Sequence, residues 1–319
     1  MKILIIIIAS LTFVEFFLFF LFKKLQKIKW VASESKIFSL LEKKKFDKFK
    51  KFNFSERLGW DIKPLKNNNN DKKSNSYLID SMGRRDSSFK KYKQIISTFG
   101  DSYVFCRQVS DQNTWQEQLS PKKKIYVANY GVGNYGLDQA FLKFKRKKFT
   151  SKNKVIIFGF VPETICRIQS KWKHFIEFGN IHGFKPSISI RNKKLTFEKN
   201  FLKKKNKFRD LHKIISQLKK EDRFYHEKYF KFSFRFPYSI SFLKNLNVNF
   251  KIILYYFFLG NKNLGEIEQK VFPAVMENNI KMSHKLYSEN YSLKLLGKLL
   301  YEINNVVKKK KMKCLFIIF

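Results

Sequence analysis

The sequence predicts an α/β fold with a mostly parallel sheet, preceded by one apolar helix of membrane-spanning length. Three observations predict it. Apolar, β-prone runs at residues 94–99, 124–129 and 155–161 alternate with stretches of helical periodicity, the pattern of β-α-β units with right-handed crossovers. The third run, Val155-Ile156-Ile157-Phe158-Gly159-Phe160-Val161, is apolar throughout, as a strand covered on both faces should be. Ahead of all three, residues 3–22 form an apolar run interrupted by Ser10, Thr12 and Glu15, the length a helix needs to cross a bilayer.

With 319 residues the chain has material for one large or two modest domains. Its 44% hydrophobic content and 37 phenylalanines argue against disorder. The formal net charge is +41, yet only ten of the 66 basic residues are arginine, and lysines are spread along the whole chain. Nucleic-acid recognition favours clustered arginine with interleaved aromatics. Unpatterned charge gives only non-specific phosphate attraction, so a nucleic-acid partner is not expected. Attraction to an anionic membrane surface follows more directly. Cys106, Cys166 and Cys314 are odd in number and far apart, and the five histidines show no ligand spacing. Neither a disulfide framework nor a metal site is expected, and no cofactor is called for.

Taken in order, residues 1–22 are expected to be a transmembrane anchor. They lack a small-x-small cleavage site, which favours an uncleaved anchor over a removed signal peptide. Glu15 is the one costly residue, either neutral or facing a partner helix. Lys23, Lys24, Lys27 and Lys29 outnumber Lys2 and the amino terminus, which by the positive-inside rule puts the body in the cytoplasm. Lysine is so common elsewhere that the membrane side stays open. Residues 23–76 read as a lysine-rich juxtamembrane segment and linker. Within it Ile37, Leu40, Leu41 and Phe46 mark an amphipathic helix, and residues 66–76, with asparagine at 67–70, are low-complexity.

The α/β domain is expected over residues 77–319, opening with an Asp-Ser-Met-Gly-Arg-Arg turn at 80–85. Residues 113–119 read as a short helix, and Leu137, Ala140, Phe141 and Phe144 share one face of another. An irregular insertion is expected at about 168–285. It holds a hairpin, with strands at 187–190 and 195–198 flanking Arg191-Asn192-Lys193-Lys194, and a charged helical stretch at 201–235. The apolar-aromatic run at 252–259 is too short to span a membrane; it is expected in the core, with contact to lipid as the alternative. Leu293, Leu296, Leu299, Leu300, Ile303 and Val307 mark a long amphipathic helix, and Cys314-Leu315-Phe316-Ile317-Ile318-Phe319 a last buried strand.

The residues with chemical potential cluster where strands end. Gly100-Asp101-Ser102 follows the first run. A glycine there permits a tight turn, and a serine delivered to the carboxyl edge of an open sheet is a candidate nucleophile if a base reaches it. Asn129-Tyr130-Gly131-Val132-Gly133-Asn134-Tyr135-Gly136-Leu137-Asp138-Gln139 follows the second run. Its glycines would let backbone amides approach a ligand.

With Phe158-Gly159-Phe160-Val161 behind them, these motifs in this order resemble the SGNH (GDSL-like) hydrolase family, over residues 77–200 and more loosely to 319. The resemblance implies a three-layer flavodoxin-like fold and a membrane-anchored serine ester hydrolase acting on acyl or acetyl groups of glycans or lipids. It makes Ser102 the nucleophile, the amides of Ser102 and Gly131 oxyanion donors, and Gly100, Asp101, Asn129, Asp138 and Gln139 the supporting motif. Val109-Ser110-Asp111-Gln112-Asn113-Thr114-Trp115 is similar to the polar loop and short helix that relatives carry after the serine. Ile165-Cys166-Arg167, Lys185-Pro186 and the hairpin are similar to a membrane-associated or secreted subgroup.

Two departures qualify that expectation. The family places an asparagine after the third strand to complete the oxyanion hole; here the sequence is Phe160-Val161-Pro162-Glu163-Thr164, which leaves Thr164 as the substitute donor. One such donor is worth about 10²–10³ in rate. The family's base comes from an Asp-x-x-His motif after the last strand, and no such motif occurs in this chain. The expectation is therefore a truncated or degenerate member. The rival is a non-catalytic domain that binds an acyl or carbohydrate ligand.

Overall fold

The computed structural model describes residues 1–34, 36–39, 41–64, 77–259 and 264–319. The low-complexity linker and Leu40 lie outside the described residues. The chain forms two compact units, one of Met1–Asp47, Trp172–Phe184 and Lys205–Lys281, the other of Lys48–Lys171, Lys185–Lys204 and Met282–Phe319. Residues 168–285 are thus divided between them.

The second unit is mixed α/β. Its main sheet has four parallel strands, β1 (Gln94–Gly100), β2 (Tyr126–Asn129), β3 (Val155–Phe160) and β4 (Lys313–Ile318), in the order β2-β1-β3-β4. β3 is covered on both faces, with Ile156 and Phe158 at 0% exposure; β1 buries Phe99 together with the polar Ser97 and Thr98, while Ile95 and Ile96 are half-buried. Helix α1 (Lys2–Leu25) belongs to the first unit; in the second, α2 (Ser102–Phe105) and α3 (Trp115–Lys123) lie between β1 and β2, α4 (Leu137–Lys145) between β2 and β3, α5 (Thr164–Arg167) follows β3, and the Asn290–Lys309 helix precedes β4. The four apolar residues expected on one face of α4 are all buried. There Phe144 meets Phe99 and Phe158 edge-on, with ring centroids 5.6 Å apart in both pairs. Each fully buried phenylalanine contributes about 2–3 kcal/mol, and such pairs add about 0.5–1.5 kcal/mol beyond area.

The hairpin forms as the sequence predicts, from Ser187–Arg191 paired with Lys194–Glu198. Asn192 (φ 47°) and Lys193 (φ 62°) take the two left-handed positions that a two-residue hairpin turn requires. The last strand departs from expectation. Among the described residues β4 pairs only with β3, at the sheet edge, and it is not buried: Leu315 is 51% and Ile318 67% exposed.

In the first unit α1 is 24 residues long with a mean hydropathy of 2.7 over its most apolar stretch, long and apolar enough to cross a membrane. Only Leu18, Leu21, Phe22 and Leu25 of it are buried. Glu15 faces a partner helix, one of the two alternatives open from sequence: its carboxylate accepts the amides of Tyr238 (2.6 Å) and Ser239 (2.9 Å) at the start of the Tyr238–Leu243 helix. The run at 252–259, expected in the core, is mostly outside it. The Leu246–Phe258 helix buries Asn249 and Ile252, whereas Leu254, Phe257 and Phe258 are exposed. Length alone does not settle which face of such a helix finds a partner. Ile37, Leu41 and Phe46 are buried as an amphipathic segment should bury them, but not on one helix: Ile37 lies on Lys36–Ser39, Phe46 on Lys43–Phe52, and Leu41 in the break between them.

His182, also in the first unit, has its pKa pushed down to about 4 by burial and, secondarily, by the Lys45 ammonium. A depressed histidine must be neutral when folded, so the unfolded chain takes up its proton first. The stability it contributes is complete above the unfolded value near 6.5 and is lost as pH falls toward 4. Discounted for the partial exposure, that is about 2 kcal/mol. The difference in unfolding free energy between pH 7 and pH 4.5 is expected to shrink by that amount in His182→Gln, measured by denaturant titration against the wild type.

Candidate functional site

The chain leaves β1 for β2 on one side and returns to β3 on the other. In a parallel sheet this reversal opens a crevice at the carboxyl ends of the two central strands, where ligands bind. Ser102 is the first residue of α2, two positions beyond the end of β1, and therefore lies at this point.

What brings α2 down onto the sheet is a pair of glycines. Gly100 and Gly159 are partners across β1 and β3. A Cβ on Gly100 would lie 2.1 Å from the Gly159 carbonyl oxygen and 2.4 Å from Val104 Cγ2; one on Gly159 would lie 2.5 Å from the same methyl. Gly100 does not have the positive φ of a turn glycine. The tight turn expected there is replaced by close approach: Val104 of α2 rests in a gap that any side chain would fill.

Asp101 fixes the serine. It is 1% exposed, its Oδ1 accepts the Tyr103 amide (2.9 Å) as the cap of α2, and its Oδ2 accepts the Val161 amide (3.2 Å). Arg167 Nη1 lies 3.4 Å from that second oxygen. Ser102 itself is half-buried, and among the described residues its hydroxyl has no hydrogen-bond partner. As the first residue of a helix its amide has no intrahelical acceptor. Beside it, exposed Tyr103 stacks on Phe319 with centroids 5.5 Å apart.

One expected oxyanion donor is otherwise engaged, and another is buried at the start of α4. The Gly131 amide donates to Asn129 Oδ1 (2.9 Å), while Asn129 Nδ2 donates to the Val104 carbonyl (2.8 Å). Gly131 is instead a contact glycine, since a Cβ there would sit 2.4 Å from the Phe105 backbone nitrogen. The Thr164 hydroxyl is 1% exposed and accepts the Leu137 amide (2.9 Å), satisfying the start of α4. Of the two amides named as donors from sequence, only that of Ser102 is therefore uncommitted.

The supporting residues have structural partners. Gln139 Oε1 accepts the Gly136 amide and its Nε2 donates to the Leu58 carbonyl (2.6 Å). Asp138 and Lys185 form an ion pair of 2.7 Å in which both side chains are 1% exposed. The Lys185 ammonium also donates to the carbonyls of Arg167, Ser170 and Pro186. Burial raises the Asp138 pKa despite the Lys185 ammonium beside it.

Sequence reasoning missed the roles of three cations. Arg167 joins Asp101 to the Tyr135 carbonyl (3.2 Å), and Lys185 holds Asp138. Arg85, 2% exposed, donates to Asp111 Oδ1 (2.6 Å) and to the carbonyls of Phe105, Cys106 and Val109, which clamps the loop after α2. The available signal was a lone cation beside apolar neighbours, as in Ile165-Cys166-Arg167-Ile168.

Four of the five histidines, His174, His182, His212 and His226, belong to the first unit. His284 shares the unit of Ser102 and is exposed on the Leu264–Tyr287 helix. Among the described residues no group of three or more histidine, cysteine, aspartate or glutamate side chains converges as a metal site. No family model matches the chain, and no curated protein matches its sequence. What fold and site define is an α/β protein that presents a serine at the switch point of a parallel sheet.

Proposed function

We propose that the chain is a membrane-anchored SGNH-type serine ester hydrolase in which Ser102 accepts the acyl group, with acylated glycans or lipids as the substrate class. The placement of Ser102 carries this reading: it opens α2 two positions beyond the switch-point strand, with its hydroxyl uncommitted among the described residues and the helix start capped by Asp101. The strand order β2-β1-β3-β4 is the one found in the flavodoxin-like plan, which supports the family reading. The length and apolarity of α1 support the bilayer as its partner.

In this mechanism the serine oxygen attacks the ester carbonyl as a base removes its proton. The Ser102 amide faces the developing oxyanion, and water then releases the acid. The Gly131 amide joins only by leaving Asn129 Oδ1. The base is not supplied by a side chain bonded to Ser102 among the described residues.

That last observation favours a second reading, a non-catalytic domain of the same type that binds the acylated ligand, because a serine without a base stays protonated near neutral pH. Turnover of p-nitrophenyl acetate and acetylated sugars by the full chain and by Ser102→Ala separates the two. The hydrolase reading expects kcat/KM to fall by about 10³ in Ser102→Ala. Equal turnover in both proteins removes Ser102 as nucleophile. No turnover in either, with acetylated sugars still bound in calorimetry, selects the second reading.

A further inference from the structure

Besides α1, the first unit exposes a second apolar surface. The Tyr238–Leu243 and Leu246–Phe258 helices both pack against α1, and Phe22 of α1 stacks on Phe234 at 3.8 Å while Phe19 meets Tyr238 at 5.7 Å. Away from α1 this pair exposes Ile240, Leu243, Leu246, Phe250, Phe257 and Phe258, the last to 81%. We propose that residues 236–258 are a second membrane element, a helical hairpin that enters one leaflet beside α1 without crossing it. This rests on the bilayer placement of α1 proposed above.

The hydrogen bonding supports lipid as the medium. Inside hydrocarbon every backbone polar group needs a partner within the protein. The amides that open the Tyr238–Leu243 helix are accepted by Glu15, from the middle of α1. The carbonyls of Ser241 and Phe242, near its other end, accept from Asn249 Nδ2 of the following helix (3.4 and 3.0 Å). Both ends of the Tyr238–Leu243 helix are thus closed by side chains. Glu15 lies eight residues before Lys23, about 12 Å along the helix axis, which places the cap within the hydrocarbon layer. The polar residue that made α1 look costly is therefore the partner that lets the hairpin enter.

The charge fits the same occupant. Lys23 and Lys24 end α1, and Lys231 and Lys244 are exposed near the hairpin's first helix, while Lys251 of the second pairs with Glu277 at 3.5 Å. Lysines in these places reach anionic headgroups while their stems stay with the apolar surface. A second copy of a chain with net charge +41 is a poor cover for the same face.

The test reconstitutes the full chain into vesicles of phosphatidylcholine and phosphatidylglycerol that carry a photoactivatable group midway along the acyl chain, and maps the adducts by mass spectrometry. The expected result is adducts on residues 236–258 at a yield within about threefold of those on α1, with the Asn290–Lys309 helix as the unlabelled background. Replacing Glu15 by leucine is expected to lower the hairpin adducts severalfold relative to those on α1. Adducts on α1 alone overturn the hairpin and leave the anchor standing. Adducts on neither overturn the anchor as well. Hairpin adducts that are unchanged by Glu15→Leu overturn the capping role, and self-association in detergent that buries 236–258 instead would assign the face to a second copy.

Discussion

Gly100→Ala is expected to destabilise the second unit by about 3 kcal/mol or more, the upper range for overpacking against atoms that do not yield. The methyl would meet the Gly159 carbonyl oxygen at 2.1 Å and Val104 Cγ2 at 2.4 Å. The first is backbone of a central strand in register with Gly100, so relief requires β1 and β3 to separate or α2 to lift. Gly133→Ala is the internal control: nothing lies within 4 Å of the added methyl and its φ is not left-handed, so its effect should stay within about 0.5 kcal/mol. Denaturant midpoints of the two variants make the comparison. Equal midpoints would mean that α2 does not rest on the paired glycines.

Lys185→Met is expected to cost about 3–5 kcal/mol at neutral pH, because it strands the Asp138 carboxylate where both side chains are 1% exposed. The sign of its pH dependence follows from Asp138. Burial already raises that carboxyl above its unfolded value, and the Lys185 ammonium is the main influence lowering it. Without the lysine the folded state favours the protonated acid more strongly. The deficit is therefore greatest at neutral pH and shrinks as pH falls through the raised pKa. The double variant Asp138→Leu/Lys185→Met should recover much of the loss, since an apolar pair has no charge to desolvate. A deficit that is independent of pH would point to lost packing of the lysine stem and not to the stranded charge.

The parts of the fold legible from sequence are those set by local pattern. β3 was readable because a strand covered on both faces is apolar along its length, β1 and β2 because short β-prone runs end at glycine-bearing loops, and α4 because Leu137, Ala140, Phe141 and Phe144 repeat at helical spacing. The same local reasoning failed at 252–259 and at β4. An apolar run says that a surface seeks cover; it does not say whether protein supplies it. Lys185 and Asp138 lie 47 residues apart, so no local pattern links them.

For the site, the sequence by itself determined that Ser102 follows the first strand and that glycines follow the first two, since order along the chain is all that such a statement needs. Only the tertiary structure decided what those glycines do. Gly100 faces Gly159 under Val104, Gly131 lies against Phe105 with its amide on Asn129, and Thr164 holds the start of α4. The physical reason is that a backbone amide has one proton to donate. Which acceptor takes it depends on atoms brought together across strands, and only folding brings them together.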